Sequence, residues 1–442
     1  MEYVASEWQK SIAVAETETE TETETETETE TDVHVNLKSF WHRDQAKQEL
    51  FQKISENTIT NFFLPYGVVP LLLLNQKRYT IPVVIEESSV VAALSKSAKF
   101  WSHPDRGGFH AKVLGMEKEG QVHFFWKAGK AGEEGACEFF VRMCLEKRLR
   151  ECVCDLSERM EKRGGGITSI ELLHKREIAT NYYQLRVGFQ TCNAMGANFI
   201  NSVLERMAKF LKSESQGRAD ILMAILSNYT PASLVEAWVE APIATLPGGE
   251  EYVERFVRAV RVATLDVGRA VTHNKGIMNG VDGVVIATGN DFRAVEAACH
   301  AYAASSGQYT SLSFVSVDRA AGCFRFGLRI PLALGTVGGL TSLHPMAKFS
   351  LELLGQPSAE ELMQIVASVG LAQNFAALNS LITTGIQSGH MRMHLSNIAA
   401  KLGASEEESK QLLAYFQGPS AKEISFAAVR DALKEMRCKR QE

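Results

Sequence analysis

Four titratable residues stand where their types and surroundings could support chemistry. Lys275 sits within "HNKGIMNG", among asparagines, glycines and apolar residues. An ammonium is a compact point charge, suited to stabilising a developing oxyanion. Small neighbours would let a ligand approach it closely. The competing reading of this stretch is a flexible surface turn that happens to hold a lysine. Glu87 follows the apolar run "YTIPVVI" at a strand-to-helix turn, where it could equally be a first-turn carboxylate beside Glu86. Asp291 follows Gly289-Asn290 at a predicted helix start, a position that suits a cap as well as a catalytic acid. His390 follows "IQSG". His390 and His394 have the i, i+4 spacing of metal ligands, but no third ligand motif accompanies them, so no metal is expected.

Elements must bring such residues together, and the chain is long enough to supply them. Its 442 residues predict two or three domains. Hydrophobic residues make up 45% and charged ones 22%, as in ordinary globular proteins. The net charge of −5 owes much to a strict Glu-Thr repeat from Glu16 to Thr31, which carries eight glutamates. Without the repeat the balance would be slightly positive, which gives no reason to expect a nucleic-acid partner. The repeat has no apolar face, so residues 1–36 are expected to form a disordered tail. Eight cysteines are scattered without a C-x-x-C pair, which argues for a reduced, cytoplasmic setting. The N-terminus shows no secretory pattern. The longest apolar stretch, Phe62 to Leu74, has 13 residues and is broken by Pro65, Gly67 and Pro70. It is too short to span a bilayer, so no membrane partner is expected.

Periodicity predicts mixed helix over 37–60. A strand is predicted from Tyr79 to Ile85, then a helix from about Ser89 with Ser88 or Ser89 as its cap. Short strands follow at "HAKVLGM" and "QVHFFWKA", a helix over 135–160, and strands at "RGGGITSIELLHK" and "YYQLRVGFQT". "NAMGANFINSVLERMAKFLKSE" predicts an amphipathic helix with Ile200, Val203, Leu204, Met207, Phe210 and Leu211 on one side. Further helices are predicted from Pro231, Glu250 and Asp291. "GVVIATG" reads as a strand and "TSLSFVSVDRAAGCFRFGLRIP" as a hairpin. Helices are expected to dominate after Pro345.

Several segments together resemble 3-hydroxy-3-methylglutaryl-coenzyme A (HMG-CoA) reductase of the soluble class II type. They are "IEESSVVAA", "NAMGAN", the block "HNKGIMNGVDGVVIATGNDFRAVEAACHAYA", "GTVGGLTSLHP", "VGLAQN" and "GIQSGHMRMH". The resemblance runs from about residue 37 to the end and leaves the Glu-Thr tail outside it. It implies an α+β fold. A large helix-rich substrate and dimerisation domain would comprise 37–110 and 217–380. A small ferredoxin-like, non-Rossmann cofactor domain would be inserted at 111–216, and residues 381–442 would form a C-terminal helical flap.

The family makes mevalonate and coenzyme A from HMG-CoA by two hydride reductions, and the reaction is reversible. Its catalytic residues fall on Glu87, Lys275, Asp291 and His390. Lys275 would stabilise the alkoxide, Glu87 would supply a proton, and Asp291 would hold the lysine charged. His390 would protonate the departing thiolate. Ser89, Arg269 and Asn279 match positions that hold the HMG group. Asn193, Met195, Gly196 and Asn198 would meet the cofactor, with Asn193 standing where the family usually has Asp. Thr60 stands where the family usually has Gly. Ser157, seven positions before Gly164-Gly165-Gly166, falls where members preferring NADH carry an acid. With Arg159, Lys162 and Arg163 nearby, it favours NADPH over NADH. The resemblance also implies a homo-oligomer, a dimer or a trimer of dimers. The alternative is a non-catalytic CoA-binding regulatory paralogue, which the intact set of four argues against.

Overall fold

The computed structural model describes residues 37–127, 135–383, 395, 398–416 and 424–438. Backbone contacts divide the chain into Met1–Pro65 and Tyr66–Glu442. In the first unit, α1 (Gln45–Ile54) starts at Asp44, whose carboxylate accepts from the Lys47 amide. Asn61 ties this unit together, donating to the Phe40 carbonyl at 2.9 Å and to Gln48 Oε1 at 2.7 Å. Thr60 uses its hydroxyl here, donating to the Leu37 carbonyl at 2.8 Å.

The second unit is a mixed α+β structure built on two sheets. In chain order its strands are β1 (Tyr66–Leu74), β2 (Lys77–Val84), β3 (Phe109–Val113), β4 (Glu117–Trp126), β5 (Gly166–His174), β6 (Tyr182–Gln190), β7 (Ala219–Ser227), β8 (Leu234–Pro242), β9 (Ser313–Asp318) and β10 (Cys323–Pro331). One sheet has the order β2-β1-β3-β8-β10-β9 and the other β5-β6-β4-β7. The second sheet thus draws on residues 117–227, a wider span at its C-terminal end than 111–216, while β3 belongs to the first sheet. The labelled helices that follow are α2 (Val90–Trp101), α3 (Ala136–Arg142), α4 (Leu145–Cys152), α5 (Cys154–Glu161), α6 (Ala197–Glu214), α7 (Gly249–Leu265), α8 (Val267–Ala287), α9 (Phe292–Ala303), α10 (Pro345–Leu353), α11 (Ala359–Ile382), α12 (Glu406–Phe416) and α13 (Phe426–Cys438).

Several elements differ from what periodicity predicts. "HNKGIMNG" is not a turn and "GVVIATG" is not a strand, because the single helix α8 contains all of the first and runs through Ala287 of the second. Gly280 and Gly283 serve close packing rather than flexibility. A Cβ on Gly280 would lie 2.8 Å from the Val369 carbonyl oxygen, and one on Gly283 would lie 2.6 Å from Val83 Cγ1. Gly370 on α11 reciprocates, since its Cβ would meet Val281 Cγ2 at 2.8 Å. Small residues on both helices therefore let their backbones approach. The segment after Pro231 is the strand β8, not a helix. Val235, Ala237, Val239 and Ala241 alternate into the core there, which is strand period. The predicted helix over 135–160 is broken into α3, α4 and α5 at Cys144, which has φ +45°, and at Val153.

The largest core lies between the six-stranded sheet, α8 and α11, with Trp101, Phe256 and Phe326 fully buried in it. α11 is long and apolar enough to cross a membrane, yet 67% of its most apolar window is buried within the protein, as in a core helix. A second core joins the four-stranded sheet to α6 and the short helices. A third gathers Leu395, Ile398, Leu412 and Val429 among the C-terminal helices.

Candidate active site

Glu87 sits in the turn between β2 and α2, and Lys275 lies midway along α8. Packing of α8 against β2 carries the two together across 188 residues of sequence. Lys275 Nζ donates to Glu87 Oε2 at 2.6 Å, and Asn279 Nδ2 donates to the same oxygen at 3.3 Å. Lys275 and Asn279 are one helical turn apart, so a single face of α8 presents both. The pair is open to a ligand, with side-chain exposures of 60% for Lys275 and 36% for Glu87. Beside the lysine, a Cβ on Gly276 would meet nothing within 4 Å. The structure therefore keeps the close approach expected of small neighbours, but on a rigid helix face.

Ser89 holds a left-handed backbone, φ +73°, at the N-terminus of α2. It occupies the cap position without capping, because its hydroxyl donates to the Ser88 carbonyl instead. A non-glycine residue held there is strained, a feature that concentrates at functional sites. Arg269 lies half-buried in the first turn of α8. Burial lowers its pKa, but a guanidinium stays charged in proteins.

Asp291 caps α9, accepting from the Arg293 and Ala294 amides at 3.1 Å each, and pairs with Arg293 Nε at 3.4 Å. Its partners are thus on its own helix. Among the described residues, the ion-pair partner of Lys275 is Glu87. His390 lies outside the described residues.

Sequence reasoning missed Asp282, two turns beyond Lys275 on the same helix. Burial, then a hydrogen bond that its protonated form donates to Glu296, then the charges of Glu296 and Glu86, push its carboxyl up to about 8. The signal was available, since this is a lone carboxylate inside the apolar run "VDGVVIA".

The expected cofactor residues lie around the start of α6. Gly196 takes φ +91° as its N-cap, where a Cβ would crowd Thr191 at 2.5 Å. Met195 precedes it, and Asn198 stands exposed in the first turn. Asn193 is engaged elsewhere, accepting from the Ala359 amide at 2.9 Å at the start of α11. Ser157 departs from the sequence reading. It is buried in α5, and its hydroxyl donates to the Cys154 carbonyl, so it is not presented to a ribose. Lys162 is partly neutralised by Glu158 at 2.6 Å.

The family profile described as "Hydroxymethylglutaryl-coenzyme A reductase" matches residues 19–395. That match begins within the Glu-Thr repeat, upstream of residue 37. A 3-hydroxy-3-methylglutaryl-coenzyme A reductase from Archaeoglobus fulgidus is 38% identical over 363 residues, 81% of this chain and 80% of that protein. The chain belongs to the hydroxymethylglutaryl-coenzyme A reductase family. Solved reductases of the family share its architecture. A Streptococcus pneumoniae enzyme superposes with a TM-score of 0.70 at 37% identity, covering 88% of this chain and 90% of that one. The class II reductase of the same organism, bound to NADPH in open conformations, superposes with a TM-score of 0.69 at 38% identity, covering 76% and 89%.

Proposed function

We propose that this chain reduces HMG-CoA to mevalonate and coenzyme A with a nicotinamide cofactor, and that NADPH is preferred. The observation that carries the reading is the Lys275–Glu87 contact at 2.6 Å, reinforced by Asn279 on the same carboxylate oxygen. It unites an oxyanion-stabilising cation with a proton donor in a solvent-accessible site. A non-catalytic paralogue has no need of that pairing.

The residues around the start of α6 fit a dinucleotide. Gly196 leaves no Cβ over the helix start, and the first amides of an 18-residue helix favour phosphate. The sheet beneath supports the same reading. Its chain order is strand, helices, strand, strand, helix, strand, and β5-β6-β4-β7 is the strand order of a split β-α-β, ferredoxin-like domain. Met195, Gly196 and Asn198 would hold the cofactor, which when bound supplies hydride. NADPH is favoured by Arg159 and Arg163, exposed near the glycine run, since arginine pairs well with a 2′-phosphate.

The chain's own groups would then act in sequence. Arg269 and Ser89 hold the free carboxylate and hydroxyl of the HMG group. Lys275 stabilises the alkoxide formed at the thioester carbonyl. Collapse of that alkoxide expels the thiolate of coenzyme A, which His390 protonates. The resulting aldehyde is polarised by the same lysine, and Glu87 delivers the proton that completes the alcohol. Asp291 tunes this proton by its charge once its helix end faces the closed site. The exposed apolar stripe of Val267 and Val271, on the Lys275 face of α8, supports a homodimer that completes the site. A reduced cytoplasmic setting fits the seven free cysteines among the described residues.

The test is nicotinamide absorbance with HMG-CoA, run in both directions with NADPH and NADH. Substrate-dependent oxidation is expected, faster with NADPH. No turnover with either cofactor would overturn the reading, and a tenfold preference for NADH would overturn the choice of cofactor.

A further inference from the structure

Lys118 is 3% exposed, and its Nζ has no hydrogen-bond partner among the described residues. It lies on β4, opposite Phe189 of β6 in antiparallel register. Two residues along the same face of β4, a Cβ on Gly120 would strike Leu204 Cδ1 at 2.4 Å and Ile200 Cγ2 at 2.9 Å, so this face lies under α6. The Phe189 ring meets Phe199, in the first turn of α6, edge to face at 6.0 Å. α6 runs toward β7, whose first residue pairs with Trp126 at the far end of β4. Lys118 therefore lies at the end of the sheet where α6 begins. Cys192, the residue immediately before "NAMGAN", lies close enough to act on its ammonium.

A buried ammonium without a partner destabilises a fold, and an apolar residue would fill this face of the sheet better. The helix start above it presents unpaired backbone amides. Both features call for the same thing, an anion seated at the N-terminus of α6. We propose that Lys118 is a cofactor-binding residue that reaches the pyrophosphate of the dinucleotide from beneath the first turn of α6. This rests on the nicotinamide-dependent reading above. Lysine suits the role as a point charge on a long stem.

Burial brings the Lys118 ammonium down to about 8 in the absence of an anion. Cys192 is the titratable group that acts on it. Glu117 and Glu119 alternate with Lys118 along β4 and face the other side of the sheet, where Glu119 lies 3.9 Å from Arg186. A bound pyrophosphate would raise the lysine's affinity for its proton, so binding takes up a proton around pH 8 and above, and weakens as pH rises through that range.

The experiment measures dissociation constants of NADPH and NADH, by nucleotide fluorescence, between pH 7 and 9. It uses wild type, Lys118→Met and Lys118→Arg. Lys118→Met should weaken both cofactors about tenfold or more and remove the pH dependence seen in wild type. It should also leave HMG-CoA affinity unchanged. Lys118→Arg should keep most of the affinity. A Lys118→Met protein that binds both cofactors as tightly as wild type, with an unchanged pH profile, would overturn the proposal. So would a loss confined to NADPH, which would assign the lysine to the 2′-phosphate. If wild type binds HMG-CoA but neither cofactor, the failure lies in the functional reading itself.

Discussion

Replacing Lys275 with methionine separates a catalytic role from a structural one, because the structure predicts very different sizes for the two effects. The Lys275–Glu87 pair is short, at 2.6 Å, but both side chains face solvent, with exposures of 60% and 36%. Exposed ion pairs contribute about 0–1 kcal/mol to stability. Glu87 would keep its contact to Asn279 and its access to water, so no charge is stranded. The thermal midpoint should move by no more than about 4 °C. Catalysis should suffer far more. Losing one positioned oxyanion partner costs about 10²–10³ in kcat, roughly 2.7–4 kcal/mol, and the lysine supplies a full charge. Steady-state turnover of HMG-CoA, measured beside thermal unfolding of the same preparation, gives both numbers. Activity within tenfold of wild type would remove the lysine from its role. A collapse in the midpoint would show that the pair is structural and that the lost activity is secondary.

Two glycines four residues apart on α8 should respond in opposite ways. Gly280→Ala sets a Cβ 2.8 Å from the Val369 carbonyl oxygen and 3.0 Å from Gln373 Cβ. That overpacking, worth ~1–3 kcal/mol, exceeds the gain in helix propensity, so the midpoint should fall. Gly276→Ala meets nothing within 4 Å and should stabilise the fold by up to ~1 kcal/mol. It should still raise the KM for HMG-CoA by narrowing the space beside Lys275, and equal shifts in both variants would refute this account of the helix. Asp282 carries the pH prediction. The folded protein keeps its proton up to about pH 8, whereas the unfolded chain loses it near 3.8, so stability declines as pH rises through that window. Asp282→Asn can still donate to Glu296. Its advantage over wild type should grow between pH 5 and pH 9, by up to roughly 4 kcal/mol at about 1.4 kcal/mol per pH unit below 8, read by denaturant melts at both values. An unchanged difference across pH would mean the carboxyl is ionised in the fold.

Much of this protein was legible along the chain because the deciding physics is local. The turn "IEESS" between a strand and a helix, the hairpin of β9 and β10, and the amphipathic stripe of α6 follow from period and turn chemistry within a few residues. The types of Glu87 and Lys275 already suggested a titratable carboxylate and a cation, and the family resemblance added Asn279 as a residue that would hold the substrate. What the chain could not show is which segments lie against each other. "HNKGIMNGVDGVVIATG" holds four glycines and a run of β-branched residues, which locally favour a turn and then a strand. It is helical through Ala287 because α11 brings Gly370 against it and β2 fills the space beside Gly283, burying enough apolar surface to override propensity. That same packing, and nothing in the local sequence, carries Lys275 to within 2.6 Å of Glu87. Tertiary burial also decided that Ser157 turns inward and that Lys118 lies without a partner beneath α6. Exposure and pairing depend on distant segments, and these are what convert a residue type into a chemical role.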